Sequence, residues 1–194
     1  ADIKKMVYMY VVHYAELSPN EALLAISALS KELKDPNQLK RAHALRTLSS
    51  VRVKIITPVV LLSLKEAVKD SSAYVLKAAA HAIPKIYELA KGQEEVLLEC
   101  LEILLSSKSP MVLGSAVAAF NEICPENYEL IHPNFRVLCE ALPDIDEWGQ
   151  VSILDMMIRY GRAHFSDPDA EVEKEQSESD DLYGSFGDID GLDP

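Results

Sequence analysis

The chain has 194 residues, 19 Lys and Arg against 31 Asp and Glu, a formal net charge of −12, only 7 Gly, and 3 Cys. Eleven of the acids lie in residues 167–194 beside Lys174 alone, so residues 1–166 hold 18 bases and 20 acids and are nearly neutral. A near-neutral body with an acidic tail lacks the basic face that phosphate neutralisation needs, which argues against nucleic acid as a partner. Glycine poverty favours long regular elements over a turn-rich β fold. Cys100, Cys124 and Cys139 match no zinc spacing and no disulfide framework, as in a reducing compartment. No apolar run approaches the length of a membrane span. The first residues already read as a helix and the closing "GLDP" completes no element, so a piece of a longer protein is expected.

In chain order, residues 3–17, "IKKMVYMYVVHYAEL", are apolar around most of a helix surface and read as a helix packed on two sides. "SPNE" follows as a capping box: Ser18 as N-cap, Pro19 in the first turn, Glu21 reaching back. Ala22, Ile26, Leu29 and Leu33 then form one buried stripe. At "DPNQ", Asp35 is read as the N-cap of a helix to about Ser50 that buries Leu39, Ala42, Leu45 and Leu48, with Gln38 as its box partner. A helix from about Ile55 tolerates Pro58 only in its first turn. Asp70 is read as the cap of a helix burying Val75, Ala79, Ala82, Ile83 and Ile86, with Pro84 expected to remove one backbone bond and kink it. "EEVLLECLEILLSS" is its partner helix. Ser107 and Pro110 open a further helix burying Val112, Ala116, Ala119, Phe120 and Ile123. The rhythm then slackens to one short helix near Pro133. A last helix, "EWGQVSILDMMIRYG", is read with Trp148 anchoring a buried face shared with Val151, Asp155 and Ile158.

The segments at Asp35, Asp70 and Ser107 begin 35 and 37 residues apart, each with an N-terminal cap and alanines at matching places. Periods of this size, two helices per unit, signal a helical solenoid. The fold class read from the sequence is all-α, an α–α superhelix of the HEAT/armadillo type over residues 1–165. A disordered, acidic, serine-rich linker is expected over 166–194, too charged and too poor in apolar residues to pack.

Chemistry-bearing motifs are scarce. His13, His43, His81, His132 and His164 stand at no metal spacing, and no Gly-rich phosphate cradle or nucleophile elbow occurs. Asp188, Asp190 and Gly191 give only a faint calcium-loop flavour without the ligand ladder. No catalytic residue, metal or cofactor is expected. Ser166, Ser177 and Ser179 lie among acids and are candidate phosphorylation sites, each adding about −1.5 to −2 charges.

The blocks "IKKMVYMYVVHYA", "LKDPNQLKRAHALRTLSSVRV", "VKDSSAYVLKAAAHAIPKIYEL", "SPMVLGSAVAAFNEI" and "EWGQVSILDMMIRY" resemble, in this order, the trunk of the beta-type large adaptins, subunits of clathrin-associated adaptor complexes. "CPENYELIHPNFRVLC", with the acidic interruption after the last helix, is most similar to the beta chains of adaptor complex three. Leu76 and Pro84 depart from the family pattern, where Arg and a helix-compatible residue are usual. The resemblance implies a solenoid that binds a second large, a medium and a small chain and is recruited by an Arf-family GTPase. It also implies clathrin contact through parts outside this chain. The complex would sort membrane cargo from Golgi and endosomes toward lysosomes, from the cytoplasmic side and peripheral to the membrane. Related beta chains carry an apolar GTPase-facing patch on the helix that here contains Leu23 and Ile26; Ile26 also belongs to the buried stripe, which favours Leu23. The alternative is a generic helical-repeat scaffold such as a transport receptor. Those receptors present ladders of Asn and Trp, and this chain has one Trp.

Overall fold

A computed structural model describes residues 2–166. Among these there are nine α-helices and no strand. They are α1 (Asp2–Tyr14), α2 (Pro19–Glu32), α3 (Gln38–Ser50), α4 (Thr57–Ala67), α5 (Ala73–Leu89), α6 (Glu94–Leu105), α7 (Pro110–Ile123), α8 (Phe135–Ala141) and α9 (Glu147–His164). Single 3₁₀ turns at Lys54–Ile56, Tyr128–Leu130 and Leu142–Asp144 join some of them. The expected tail, with Ser177, Ser179 and the Asp188–Gly191 stretch, lies outside the described residues. The chain divides into two compact units, Ala1–Met156 and Met157–Pro194.

In the first unit the odd helices stand side by side, α1 on α3, α3 on α5, α5 on α7, while α2, α4 and α6 each pack against the odd helices that flank them. Two layers of helices result, which is the solenoid that the repeat implied. The sealed core lies between them: Leu45 and Leu48 of α3, Leu64 of α4, Ile83 and Ile86 of α5, Leu97, Leu101 and Leu104 of α6, Leu113 and Phe120 of α7. Ala44, Ala79 and Ala116 are buried at equivalent places on α3, α5 and α7, small enough to let neighbouring helices close up.

Each helix start differs from the reading at Asp35, Asp70 and Ser107. None of the three is an N-cap. The N-caps of α3, α5 and α7 are Asn37, Ser72 and Ser109, two residues further on. Asp35, Asp70 and Ser107 instead accept the N–H of those residues, at 2.9, 2.8 and 3.3 Å. A short polar side chain that bonds two residues ahead folds the chain into a tight turn before the helix begins. Of these three only Asn37 makes a side-chain cap, accepting the Leu39 N–H at 2.9 Å. The Ser72 hydroxyl is drawn away by Gln38, to whose side-chain oxygen it donates at 2.6 Å. Ser18 stands at the N-cap of α2 but makes no side-chain cap.

The corrected register uncovers a fourth copy. Asp146 accepts the Gly149 N–H at 2.8 Å and caps α9, which puts the four N-caps at 37, 72, 109 and 146. The α7–α9 crossing rests on a glycine pair. A Cβ on Gly149 would lie 2.5 Å from Ile145 Cγ2 and 3.0 Å from the Gly114 Cα. One on Gly114 would lie 2.9 Å from the Gly149 Cα, a backbone atom that cannot swing away.

Trp148 is not an anchor. It is 84% exposed, and Val151 and Ile158 are exposed with it. The buried side of α9 is Gly149, Ile153 and Met156, so the apolar stripe taken as core faces outward. The close glycine contact fixes which side of α9 turns inward, and Trp148, one residue away, is rotated about 100° from it. Leu39 is likewise exposed rather than buried. Helix α5 continues through Pro84 to Leu89. In the second unit Tyr160 stacks on His164 with ring centroids 4.5 Å apart, and Ser166 is exposed.

Candidate functional site

Among the described residues no group of His, Cys, Asp or Glu is placed to hold a metal ion, and no helix is long and apolar enough to cross a membrane. Cys100 is buried and Cys124 half-buried; burial pushes the Cys124 thiol up to about 11, which leaves it protonated and unreactive at neutral pH. The features that could act are surfaces, and two stand out.

The first is the outward side of α2. Ile26 is 7% exposed and Leu29 is buried, so their stripe faces α3, whereas Leu23 is 42% exposed. The sequence reading missed Leu24 and Leu17, both more exposed than Leu23. Leu24 lies on α2 off the buried stripe, and Leu17 lies in the turn before α2. The base of α2 is tied to α1 through Glu32, whose carboxylate accepts from Lys4 Nζ at 2.7 Å and from the Tyr8 hydroxyl. Partial burial opposes the charge on Glu32, but those two hydrogen bonds and the field of Lys40 outweigh it and lower its pKa. Burial, with the Glu32 hydrogen bond, pushes Tyr8 up to about 12.

The second surface runs along α7, between α5 and α9. Its floor is small: Gly114, Ser115 and Ala118. Lys77 and His81 of α5 form one side and Trp148 rises at one end. Further along, Arg46, Lys85 and Glu122 continue the wall. Lys77 pairs with Asp146 at 3.0 Å, and this bond, with the Gly149 N–H, holds Asp146 below the usual carboxylate range. His81 lies 3.3 Å from the Ser115 hydroxyl; partial burial, then Lys77, Arg46 and Lys85, lower its pKa and keep it neutral at pH 7. Partial burial, then Arg46 and Arg52, lower that of Lys85. The trough is thus a shallow strip with crowded cations at one end and a free indole at the other. Apart from the Ser115–His81 contact, neither surface sets a nucleophile beside a base among the described residues, and both are shaped to bind.

A clamp joins two consecutive repeats. Arg41 of α3 donates from Nε and Nη2 to the two Asp70 oxygens at 2.8 and 2.9 Å, and from Nη1 to the Asp35 carbonyl at 2.9 Å. The Arg41 bond, then the Ser72 N–H, hold Asp70 below its ordinary value despite partial burial. Asp70 was read as a helix cap; it works as a clamp between consecutive units.

Residues 1–179 match the family model described as "Adaptin N terminal region". The chain is 51% identical over 185 residues to the AP-3 complex subunit beta-2 of Mus musculus, covering 95% of this chain and 17% of that protein. It is 48% identical over 169 residues to the AP-3 complex subunit beta of Dictyostelium discoideum, covering 87% and 15%. It is 34% identical over 167 residues to the AP-3 complex subunit beta of Saccharomyces cerevisiae, covering 86% and 21%. Its fold matches a homology model of the full-length AP-3 complex in an intermediate open conformation, with TM-score 0.62 and 34% identity over 86% of this chain and 27% of that one. The chain therefore spans about a fifth or less of the length of these relatives.

Proposed function

We propose that the chain, which belongs to the adaptin N-terminal-region family, is a trunk segment of a beta-type subunit of an AP-3-like adaptor complex and acts by binding. The observation that carries this is the match to AP-3 beta subunits at 51% identity across 95% of the chain, over a fold of stacked repeats. In this reading the chain takes part in vesicle-mediated protein transport, at the cytoplasmic side of Golgi and endosomal membranes, sorting cargo toward lysosomes. Its partners are a second large, a medium and a small adaptor chain, with clathrin reached through parts outside this chain.

An Arf-family GTPase is assigned to the outward side of α2. Leu23 is the better candidate and Ile26 the weaker, because Ile26 is spent on the core. Leu24, on the same helix, is also exposed. A partner chain is assigned to the α7 trough, where an exposed Trp beside a small-residue floor is the composition of an interface hot spot. Catalysis has no support from either surface.

Two measurements test this reading. Affinity purification of the full-length protein should recover the other three adaptor chains in equal amounts; recovery of transport cargo without them would point to the generic scaffold. Leu23→Asp should weaken GTP-dependent recruitment to membranes with helicity intact. If Leu23→Asp unfolds the chain, or leaves recruitment unchanged, the assignment of that patch fails.

A further inference from the structure

Counted from their N-caps, helices α3, α5, α7 and α9 repeat more than their core. Two residues after Asn37, Ser72, Ser109 and Asp146 stand Leu39, Tyr74, Met111 and Trp148. All four are large and apolar, and all four are exposed, at 52, 48, 38 and 84%. The core does not ask for them. The buried alanines Ala44, Ala79 and Ala116 come five positions later, about 140° away around each helix. Nine residues after the caps of α3, α5 and α7 come Arg46, His81 and Ala118, and thirteen after them Ser50, Lys85 and Glu122. These positions and the apolar one fall within about 40° of each other on a helix, so they share its outward face.

The result is a groove that crosses the helices. An apolar ladder runs along one side and a polar row along the other. The floor between them is small on α7, where depressions of about 410 and 310 Å³ meet at His81 and Ala118. Arg46 and Lys85 are exposed and make no ion pair among the described residues. Lys85 donates to the hydroxyl of Ser50, its equivalent in the preceding unit, at 3.0 Å. Neighbouring helix axes lie about 8–10 Å apart. A helix laid along α7 would meet one rung, whereas a segment that crosses the stack meets several. An extended chain advances about 3.3 Å per residue and points side chains alternately to opposite sides. About three residues then cover each step, and about ten span the four helices. One row of side chains can lie on the ladder while the other faces Arg46 and Lys85, where charge complementarity asks for acids. A single nucleic-acid strand would need flat rings and many cations. Leu39 and Met111 have no ring, and the row has two unpaired cations.

We propose that the groove holds an extended segment of a partner chain, running across α3, α5, α7 and the start of α9. The segment sets apolar side chains on Leu39, Tyr74, Met111 and Trp148 and acidic ones against Arg46 and Lys85. This deepens the assignment of the α7 trough to a partner chain, and rests on it for the owner of the segment but not for the segment's chemistry.

The test places a photo-crosslinking residue at Ala118, on the groove floor, in the full-length protein expressed with the other adaptor chains. The captured peptide is sequenced by mass spectrometry. It should carry about three or more Asp or Glu within about ten residues, alternating with apolar residues. Arg46→Glu/Lys85→Glu should lower the capture about tenfold or more, by setting like charges together. Tyr74→Ser/Met111→Ser should lower it as well. The melting temperature should hold in both, because all four side chains are exposed. Arg46→Lys/Lys85→Arg should keep the capture. An acidic, alternating segment from a protein outside the adaptor complex would uphold the groove and overturn the trough's assignment to an adaptor chain. A neutral or basic stretch of an adaptor chain would do the reverse. Capture of a segment of this same protein, no capture at all, or capture unchanged by the charge reversal would overturn the groove.

Discussion

Helices α3 to α7 and helix α9 are built from the same unit and end up opposite in character. In the middle of the stack each apolar stripe meets a neighbour on both sides, and Phe120, Leu97 and Leu101 are fully buried. On α9 the inward stripe is reduced to Gly149, Ile153 and Met156, while Trp148, Val151 and Leu154 face out. Helix α1 shows the same imbalance, with Ile3, Met6, Met9 and Tyr10 exposed. In a solenoid, apolar residues serve stability only where a second repeat covers them. Elsewhere the same residue types are left open to a neighbouring repeat or to another molecule.

Large changes in the sealed region and small ones in the open region would bear this out. Phe120→Ala should cost about 3–5 kcal/mol in denaturant unfolding, the loss of a large side chain from a packed core. Gly149→Val should cost about 1–3 kcal/mol or more, since its Cβ would strike Ile145 and approach the Gly114 backbone. A tolerated Gly149→Val would mean that α7 and α9 do not cross there.

Asp70→Asn should cost about 1.5–3 kcal/mol at neutral pH, for a hydrogen bond to a charged group. The folded pKa of Asp70 is depressed, so its contribution is complete above the ordinary carboxylate value near 3.9 and fades as pH falls through the lower folded value. The parent should therefore lose stability faster than the Asn variant as pH falls below about 4.

Tyr8→Phe should cost about 1 kcal/mol, the bond to Glu32. With Tyr8 raised to about 12, that contribution is present below the ordinary tyrosine value near 10 and lost as pH rises through 12, which an ultraviolet titration of tyrosinate would follow.

The stack was legible in the sequence because alanines, apolar stripes and turn-forming residues repeat together at a period near 36 residues. What was misread depended on distances that periodicity does not carry. Asp35, Asp70 and Ser107 have the chemistry of caps, and only the backbone path places them two residues early, where Asp70 is free to meet Arg41 from the unit before. The fourth copy was hidden because Ile153 stands where alanine marks the other helices and because the cap, Asp146, follows an irregular stretch. Trp148 was read inward because a large apolar residue at a helix start is usually core. Gly149, which decides the orientation, signals close approach only once its neighbour Gly114 is known to lie opposite. The outward patch of α2 was legible in part: Leu23 by resemblance to relatives, Leu24 and Leu17 by neither route.

The central claim is that this chain keeps a sealed repeat core for stability and open apolar faces for partners, and Trp148→Ala tests it most directly. The variant should melt within about 0.5 kcal/mol of the parent, as an exposed substitution does, while recovery of the other adaptor chains on affinity purification falls sharply. A clear loss of stability, or full recovery of those chains, would contradict it.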